Sequence, residues 1–320
     1  MVTLNEIASI IDEGISHLPI PEKPAGLYDP IRYTMESGGK RLRPTLLLAA
    51  VAACGGEMSV ALPQALGLEM FHNFTLLHDD VMDNADVRRG RPTVHRRWNS
   101  NTAILSGDAM LTLANRLICD CDPALISEVT ELFNKTALEI YEGQQLDMDY
   151  ENRLDVNIPE YIEMIRLKTS VLLACACRMG VMIAGGSQKL MDDFYEFGEA
   201  LGLAFQLQDD YLDTFGDPLV FGKETGGDIL NEKKTWLWIS ACAEDTSGVM
   251  QRAIAGEFNE NDKVDSVREV YRALGLDRRI VDLIGVYSNM ALEALSRTGL
   301  PEDRLRIFTD LTRSLATRTN

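Results

Sequence analysis

Cations are scarce in this chain of 320 residues: 31 lysines and arginines stand against 49 aspartates and glutamates, for a formal net charge of -18. That balance excludes a broad basic face, and with it nucleic acid or an anionic membrane as partner. Any polyanion must be held by a local group of cations or by metal. Long uncharged runs are missing too. None exceeds the 13 residues from Pro44 to Gly56, short of the roughly 18 needed to cross a bilayer. The N-terminus is acidic and interrupted by prolines, unlike a secretory leader, so the expected location is the cytoplasm, without membrane insertion.

Alternating strands and Asn-Gly hairpins are also wanting, which leaves an all-α reading. Helical periodicity predicts helices over 3–17, 58–83, 101–119, 123–150, 160–184, 188–215, 234–244, 262–274 and 277–297, with breaks at prolines 19, 21, 24 and 30. Gly38 and Gly39 end one helix, and Pro44 sits in the first turn of the next. No Ser/Gly/Pro-rich linker divides the chain, so one domain over 1–320 is expected. Cysteine is limited to six residues: Cys54, Cys242 and two C-x-C pairs, Cys119/Cys121 and Cys175/Cys177. Residues two apart do not share a helix face, so neither pair suits a zinc site, and buried reduced thiols are expected.

Acidic residues, by contrast, are concentrated. In "LLHDDVMDNADVRRG" Asp79 and Asp83 are four apart, on one helix face at roughly 5–6 Å, where like charges repel. A divalent cation would compensate. Hard ions such as Mg²⁺ take one or two carboxylates and complete their shell with water and phosphate oxygens. Arg88 and Arg89 follow, and guanidinium forks match phosphate. The same Asp-Asp-x-x-Asp recurs in "FQLQDDYLD" as Asp209, Asp210 and Asp213. Two copies so far apart suit two helices presenting carboxylates to a shared cavity, as helical bundles do. Both motifs end long helices beside loop-prone segments that could close over a substrate.

Together with "GGKRLRP", "SGDAML", "KTS" and "GKETGGDI…KKT", taken in order, these motifs resemble those of the trans-isoprenyl diphosphate synthases, the short-chain polyprenyl synthase family. The resemblance implies a single-domain isoprenoid synthase type helical bundle around a deep central cavity. It also implies a homodimer, three Mg²⁺ ions, and the condensation of isopentenyl diphosphate with allylic diphosphates. It makes Asp79, Asp83 and Asp209 the metal ligands, with Asp80, Asp210 and Asp213 supporting. Arg88, Lys168 and Lys223 would contact the allylic diphosphate, and Thr169 and Gln206 would steady the carbocation. Lys40, Arg43, His72 and Arg89 would form a second, metal-free cationic cluster for isopentenyl diphosphate. Arg41 is expected to be an exposed turn residue; His72 taken alone reads as a hydrogen-bonded core histidine, and it is the register of the motifs that points to the binding role. Lys233 and Lys234 both precede Thr235, and the sequence leaves open which reaches substrate.

Product length is expected from Phe74, five residues before Asp79, and from Phe71 on the same face: bulky rings there floor the tunnel for the growing chain. Phe74 followed by Thr75, without insertion in the first motif, resembles geranylgeranyl-producing members, with farnesyl the alternative. A terpene cyclase shares such a first motif but needs no isopentenyl pocket. A non-catalytic subunit would have lost aspartates that are intact here.

Overall fold

A computed structural model of the chain describes residues 2–216 and 225–317, so that Lys223 lies outside the described residues. Contacts divide it into two compact units: Met1–Lys135, Cys175–Phe194 and Leu300–Ile307 form the first, and Thr136–Ala174, Tyr195–Gly299 and Phe308–Asn320 the second. Among the described residues the chain is all-α apart from one small hairpin. No described helix is long and apolar enough to cross a membrane.

The first unit begins with α1 (Leu4–Ser16), α2 (Ala25–Met35), α3 (Leu42–Ala53), α4 (Met58–Met82), α5 (Val94–Arg97) and α6 (Ser100–Ile118). A reciprocal capping box between Thr3 and Glu6 starts α1 by satisfying backbone donors that the first turn leaves open. Helix α4 is apolar around much of its surface because it packs on both α3 and α6. Gly67 permits the second contact: a Cβ there would lie 3.1 Å from the Ala114 carbonyl oxygen. Gln64 then caps α6 from the side, its amide donating to the carbonyls of Leu117 and Asp120.

Helix α2 is the one expected to end at Gly38 and Gly39, but its start among the prolines was not foreseen, because they read as breaks. Pro24 instead precedes the first turn, and Pro30 is carried inside the helix with its ring buried. The hairpin was not foreseen either. Strands β1 (Val87–Arg88) and β2 (Arg91–Pro92) pair antiparallel across Arg89 and Gly90, both at positive φ. Two left-handed residues are what a two-residue hairpin turn requires, and here Arg-Gly supplies them in place of Asn-Gly.

The later helices are α7 (Ile126–Glu151), α8 (Ile158–Ile165), α9 (Val171–Ile183), α10 (Gln188–Phe215), α11 (Gly227–Leu230), α12 (Trp236–Glu244), α13 (Val249–Ile254), α14 (Glu260–Ala273), α15 (Leu276–Arg297) and α16 (Glu302–Thr317). Tyr161, Leu207, Trp236, Trp238, Tyr271 and Ile280 belong to the core of the second unit. The helix predicted over 160–184 is interrupted by a π-turn at Arg166–Ser170, which carries Lys168 and Thr169. Two glycines flank that wider turn: a Cβ on Gly143 would lie 2.4 Å from the Lys168 nitrogen, and one on Gly202 2.4 Å from the Ser170 Cα. Single-turn π-bulges recur at functional sites, and these bare backbones leave the room this one needs. Gly202→Ala is expected to overpack the contact and destabilise the protein by about 1–3 kcal/mol, read as a lower urea midpoint with unchanged slope.

The cysteines are all free, but only Cys175 and Cys177 are fully buried. Cys119 and Cys121 are half-buried where α6 ends, and Cys242 is exposed, so the expectation of buried thiols holds for the second C-x-C pair alone.

Candidate active site

In the first unit the last turn of α4 carries Asp79 and Asp80, and Asp83 caps the helix end, exposed. Adjacent residues on a helix point in different directions. Asp80 is 5 % exposed, and its carboxylate accepts from Arg88 Nε at 2.6 Å. Burial raises its pKa while Arg88 opposes that rise. Asp80 thus anchors Arg88, whose Nη2 lies 3.8 Å from the Asp79 carboxylate. Asp79, Arg88 and the end of α4 together form an acidic edge with one guanidinium set against it.

Arg89 lies in the hairpin turn, its Nη1 directed at the Ser37 hydroxyl and the Asn73 side-chain oxygen, each 3.3 Å away, and at the Gly38 carbonyl. Glycine suits position 39 beside it, where φ is 132° and a Cβ would approach the guanidinium carbon to 2.9 Å. His72 departs from its expected role as a cation. Burial, followed by the guanidinium groups of Arg43, Arg89, Arg88 and Arg41, holds its pKa well below the usual imidazole range, which favours the neutral ring. Lys40 stands exposed on the loop before α3. Arg41 corrects its sequence reading: its side chain is 10 % exposed and pairs at 2.6 Å with Glu69, whose side chain is 2 % exposed. The backbone at Arg41 is left-handed (φ 46°), which turns the side chain inward rather than to solvent.

Phe74 is 6 % exposed and meets the His78 ring edge-on at 4.8 Å. Phe71 is fully buried, 5.6 Å from Phe74 and edge-on to Phe133 at 5.1 Å. It is a buttress behind Phe74. The Thr75 hydroxyl is turned back to its own helix, donating to the His72 carbonyl at 2.8 Å.

The second unit contains a cavity of about 220 Å³ lined by both acids and bases, among them Lys168, Thr169, Gln206, Asp209, Asp213 and Lys233. One hydrogen-bonded chain organises its wall. Tyr161 donates to one oxygen of Asp210, the Gln206 amide donates to the other at 2.9 Å, and the Thr169 hydroxyl donates to Gln206 Oε1 at 3.0 Å. Burial pushes the Asp210 pKa up to about 6, against the lowering effect of those hydrogen bonds. With both oxygens engaged, Asp210 orients Gln206, and Asp209, next in sequence, also lines the cavity.

Asp213 accepts from the Asp228 backbone N–H at 2.9 Å, so it secures the start of α11. Lys168 is held by Asp147 at 2.6 Å. Lys234 is 9 % exposed and donates to the Glu232 carbonyl at 2.8 Å. The charge of Lys233 instead acts on Asp210 and Asp228, lowering the pKa of each. Burial and neighbouring carboxylates nevertheless raise Asp228 well above the usual range.

Among the described residues no three acidic, imidazole or thiol groups converge as a ready metal cage. The donors are all oxygen, from carboxylates, hydroxyls and the Gln206 amide, with lysines beside them. Those donors fit a hard cation that keeps much of its shell for water and phosphate oxygens.

A family model described as polyprenyl synthetase matches residues 24–274. The chain belongs to that family. The enzyme is therefore a prenyltransferase, of a metal-dependent class that uses isoprenyl diphosphates. It is 40 % identical to a geranylgeranyl diphosphate synthase of Methanosarcina mazei over 246 residues, 75 % of this chain and 76 % of that one. It is 39 % identical to a geranylfarnesyl diphosphate synthase of Natronomonas pharaonis, covering 74 % of each chain. A solved geranylgeranyl pyrophosphate synthase superposes on it with a TM-score of 0.95 at 42 % identity, covering 100 % of both chains.

Several residues of the synthase's two constellations escaped the sequence reading. Tyr161 is far in sequence from the Asp210 it bonds, and nothing local marks it. Asp147 and Asp228 are ordinary acids until the fold brings them to the cavity. Glu69 did carry a signal, as a lone charge inside the apolar run "ALGLEMF". Such a charge is either exposed on one face or buried with a partner.

Proposed function

We propose that the enzyme condenses isopentenyl diphosphate with allylic diphosphates, with geranylgeranyl diphosphate as its main product. The observation that carries this reading is the cavity wall on which Lys168, Thr169 and Gln206 stand with Asp209. It combines a cation for diphosphate, two oxygen dipoles for a carbocation and a metal-binding carboxylate. Asp79, Asp83 and Asp209 would hold Mg²⁺, in three ions as the family resemblance implies. Bound Mg²⁺ would supply positive charge to the diphosphate as it departs. Arg88 and Lys168 would each contact allylic diphosphate oxygens, where charge grows in the transition state, and Lys223 joins them on the strength of the motif alone. Thr169 and Gln206 turn their oxygens toward the allylic cation. Arg43, Arg89 and neutral His72, with Lys40, bind the diphosphate that stays attached. Lys233 and Lys234 both line the cavity, and Lys234 is also tied to backbone carbonyls.

Phe74, backed by Phe71, stops the growing chain. The geranylgeranyl product is supported by this single floor and by the names of the M. mazei relative and the superposed structure. We also read the chain as one synthase domain, a reading supported by a family match that runs unbroken from the first unit into the second. The resemblance further supports a homodimer.

Product analysis tests the reading: purified protein, Mg²⁺, labelled isopentenyl diphosphate and dimethylallyl, geranyl or farnesyl diphosphate in turn, with dephosphorylated products sized by chromatography. A geranylgeranyl product that lengthens by at least one isoprene unit in Phe74→Ala is the expected outcome. A cyclic hydrocarbon, or no condensation with any starter, rejects the synthase; unchanged length in the variant rejects Phe74 as the floor.

A further inference from the structure

Asn73 has no assigned part in the reaction, yet it joins the buried Arg41–Glu69 pair to Arg89. We infer that Asn73 is a positioning residue, whose side-chain amide, oriented by buried Glu69, aims the Arg89 guanidinium at the diphosphate that is not displaced. The inference rests on the reading of Arg89 as an isopentenyl diphosphate contact.

The orientation follows from donor and acceptor chemistry. Glu69 is 1 % exposed, and its Oε1 lies 2.6 Å from Arg41 Nη1 and 3.0 Å from Asn73 Nδ2. Nδ2 also donates to the Glu69 carbonyl at 2.8 Å. An ionised carboxylate and a carbonyl only accept, so the end of the amide facing them must be its NH₂. That leaves Oδ1 toward Arg89, at 3.3 Å from Nη1. The Ser37 and Gly38 oxygens hold the same nitrogen. Every protein acceptor of this guanidinium among the described residues is therefore gathered on Nη1. The Nε and Nη2 donors remain as an open fork, the edge that matches two oxygens of a phosphate. Arg89 lies in a two-residue turn at φ 52°, so its backbone is set by the hairpin and the aim of its long side chain by these contacts.

The test is steady-state kinetics of Asn73→Leu, which keeps approximate volume and removes both ends of the amide. The expected result is a rise of about tenfold in KM for isopentenyl diphosphate, the scale of one hydrogen bond to a charged group. The KM for the allylic substrate and kcat at saturation should stay within about twofold. A protein merely loosened by the substitution would lose kcat and raise both KM values. Arg89→Ala separates the inference from the reading beneath it. If that variant leaves KM for isopentenyl diphosphate unchanged, the assignment of Arg89 fails. If it raises KM and Asn73→Leu does not, the positioning role of Asn73 is overturned. Asn73→Leu combined with Arg89→Ala should be no worse than Arg89→Ala alone, because both act through one guanidinium. Should the leucine variant not fold, Asn73→Ser is held to the same criteria.

Discussion

Asp209→Asn is expected to lower kcat by about 10²–10³-fold, the scale on which loss of one preorganised charge-stabilising group is felt, with secondary structure and denaturation midpoint little changed. The substitution is nearly isosteric and removes a negative charge from a cavity wall already supplied with Lys168 and Lys233. A neutral amide oxygen is a far poorer ligand for a hard cation than a carboxylate. The Mg²⁺ concentration for half-maximal rate should rise in parallel. Asp210→Asn is the instructive neighbour. Its two carboxylate oxygens are engaged by Tyr161 and Gln206, so its loss acts through the orientation of Gln206 and should leave the Mg²⁺ requirement near that of the parent. If Asp210→Asn shifted the Mg²⁺ requirement while Asp209→Asn did not, the roles of the two adjacent aspartates would have to be exchanged.

Arg41→Met is expected to cost about 3–5 kcal/mol of folding stability, the range for breaking a buried ion pair from one side. Arg41 Nη1 lies 2.6 Å from Glu69, and its Nη2 donates to the Met35 carbonyl at 2.7 Å, so it ties the end of α2 to α4. Methionine retains the apolar stem and leaves the Glu69 carboxylate buried without its cation. Urea denaturation followed by circular dichroism measures the loss. Removing both charges, as Arg41→Met with Glu69→Leu, should recover much of it, because no isolated charge then stays in the core. A single variant as stable as the parent would show that Glu69 is solvated despite its burial.

The sequence by itself determined what spacing and composition can encode. Periodicity identified the long helices α4, α6, α7, α10 and α15 to within a few residues, since an amphipathic or wholly buried helix must repeat its apolar positions. The paired Asp-Asp-x-x-Asp motifs and the arginines after the first specified metal-diphosphate chemistry, because few other uses tolerate so many like charges together. The tertiary structure decided everything that depends on partners distant in the chain. It gave the neighbouring aspartates of each motif different partners: Asp79 lies beside the guanidinium that Asp80 holds, and Asp209 beside an Asp210 tied to Tyr161. It turned Arg41 inward onto Glu69, made His72 neutral among arginines and opened a π-turn at Lys168 between two glycines. The physical reason is common to these cases. Charge state, side-chain direction and helix irregularity are set by whichever neighbours displace water from a residue, and those neighbours are chosen by packing across the fold, where local spacing carries no record of them.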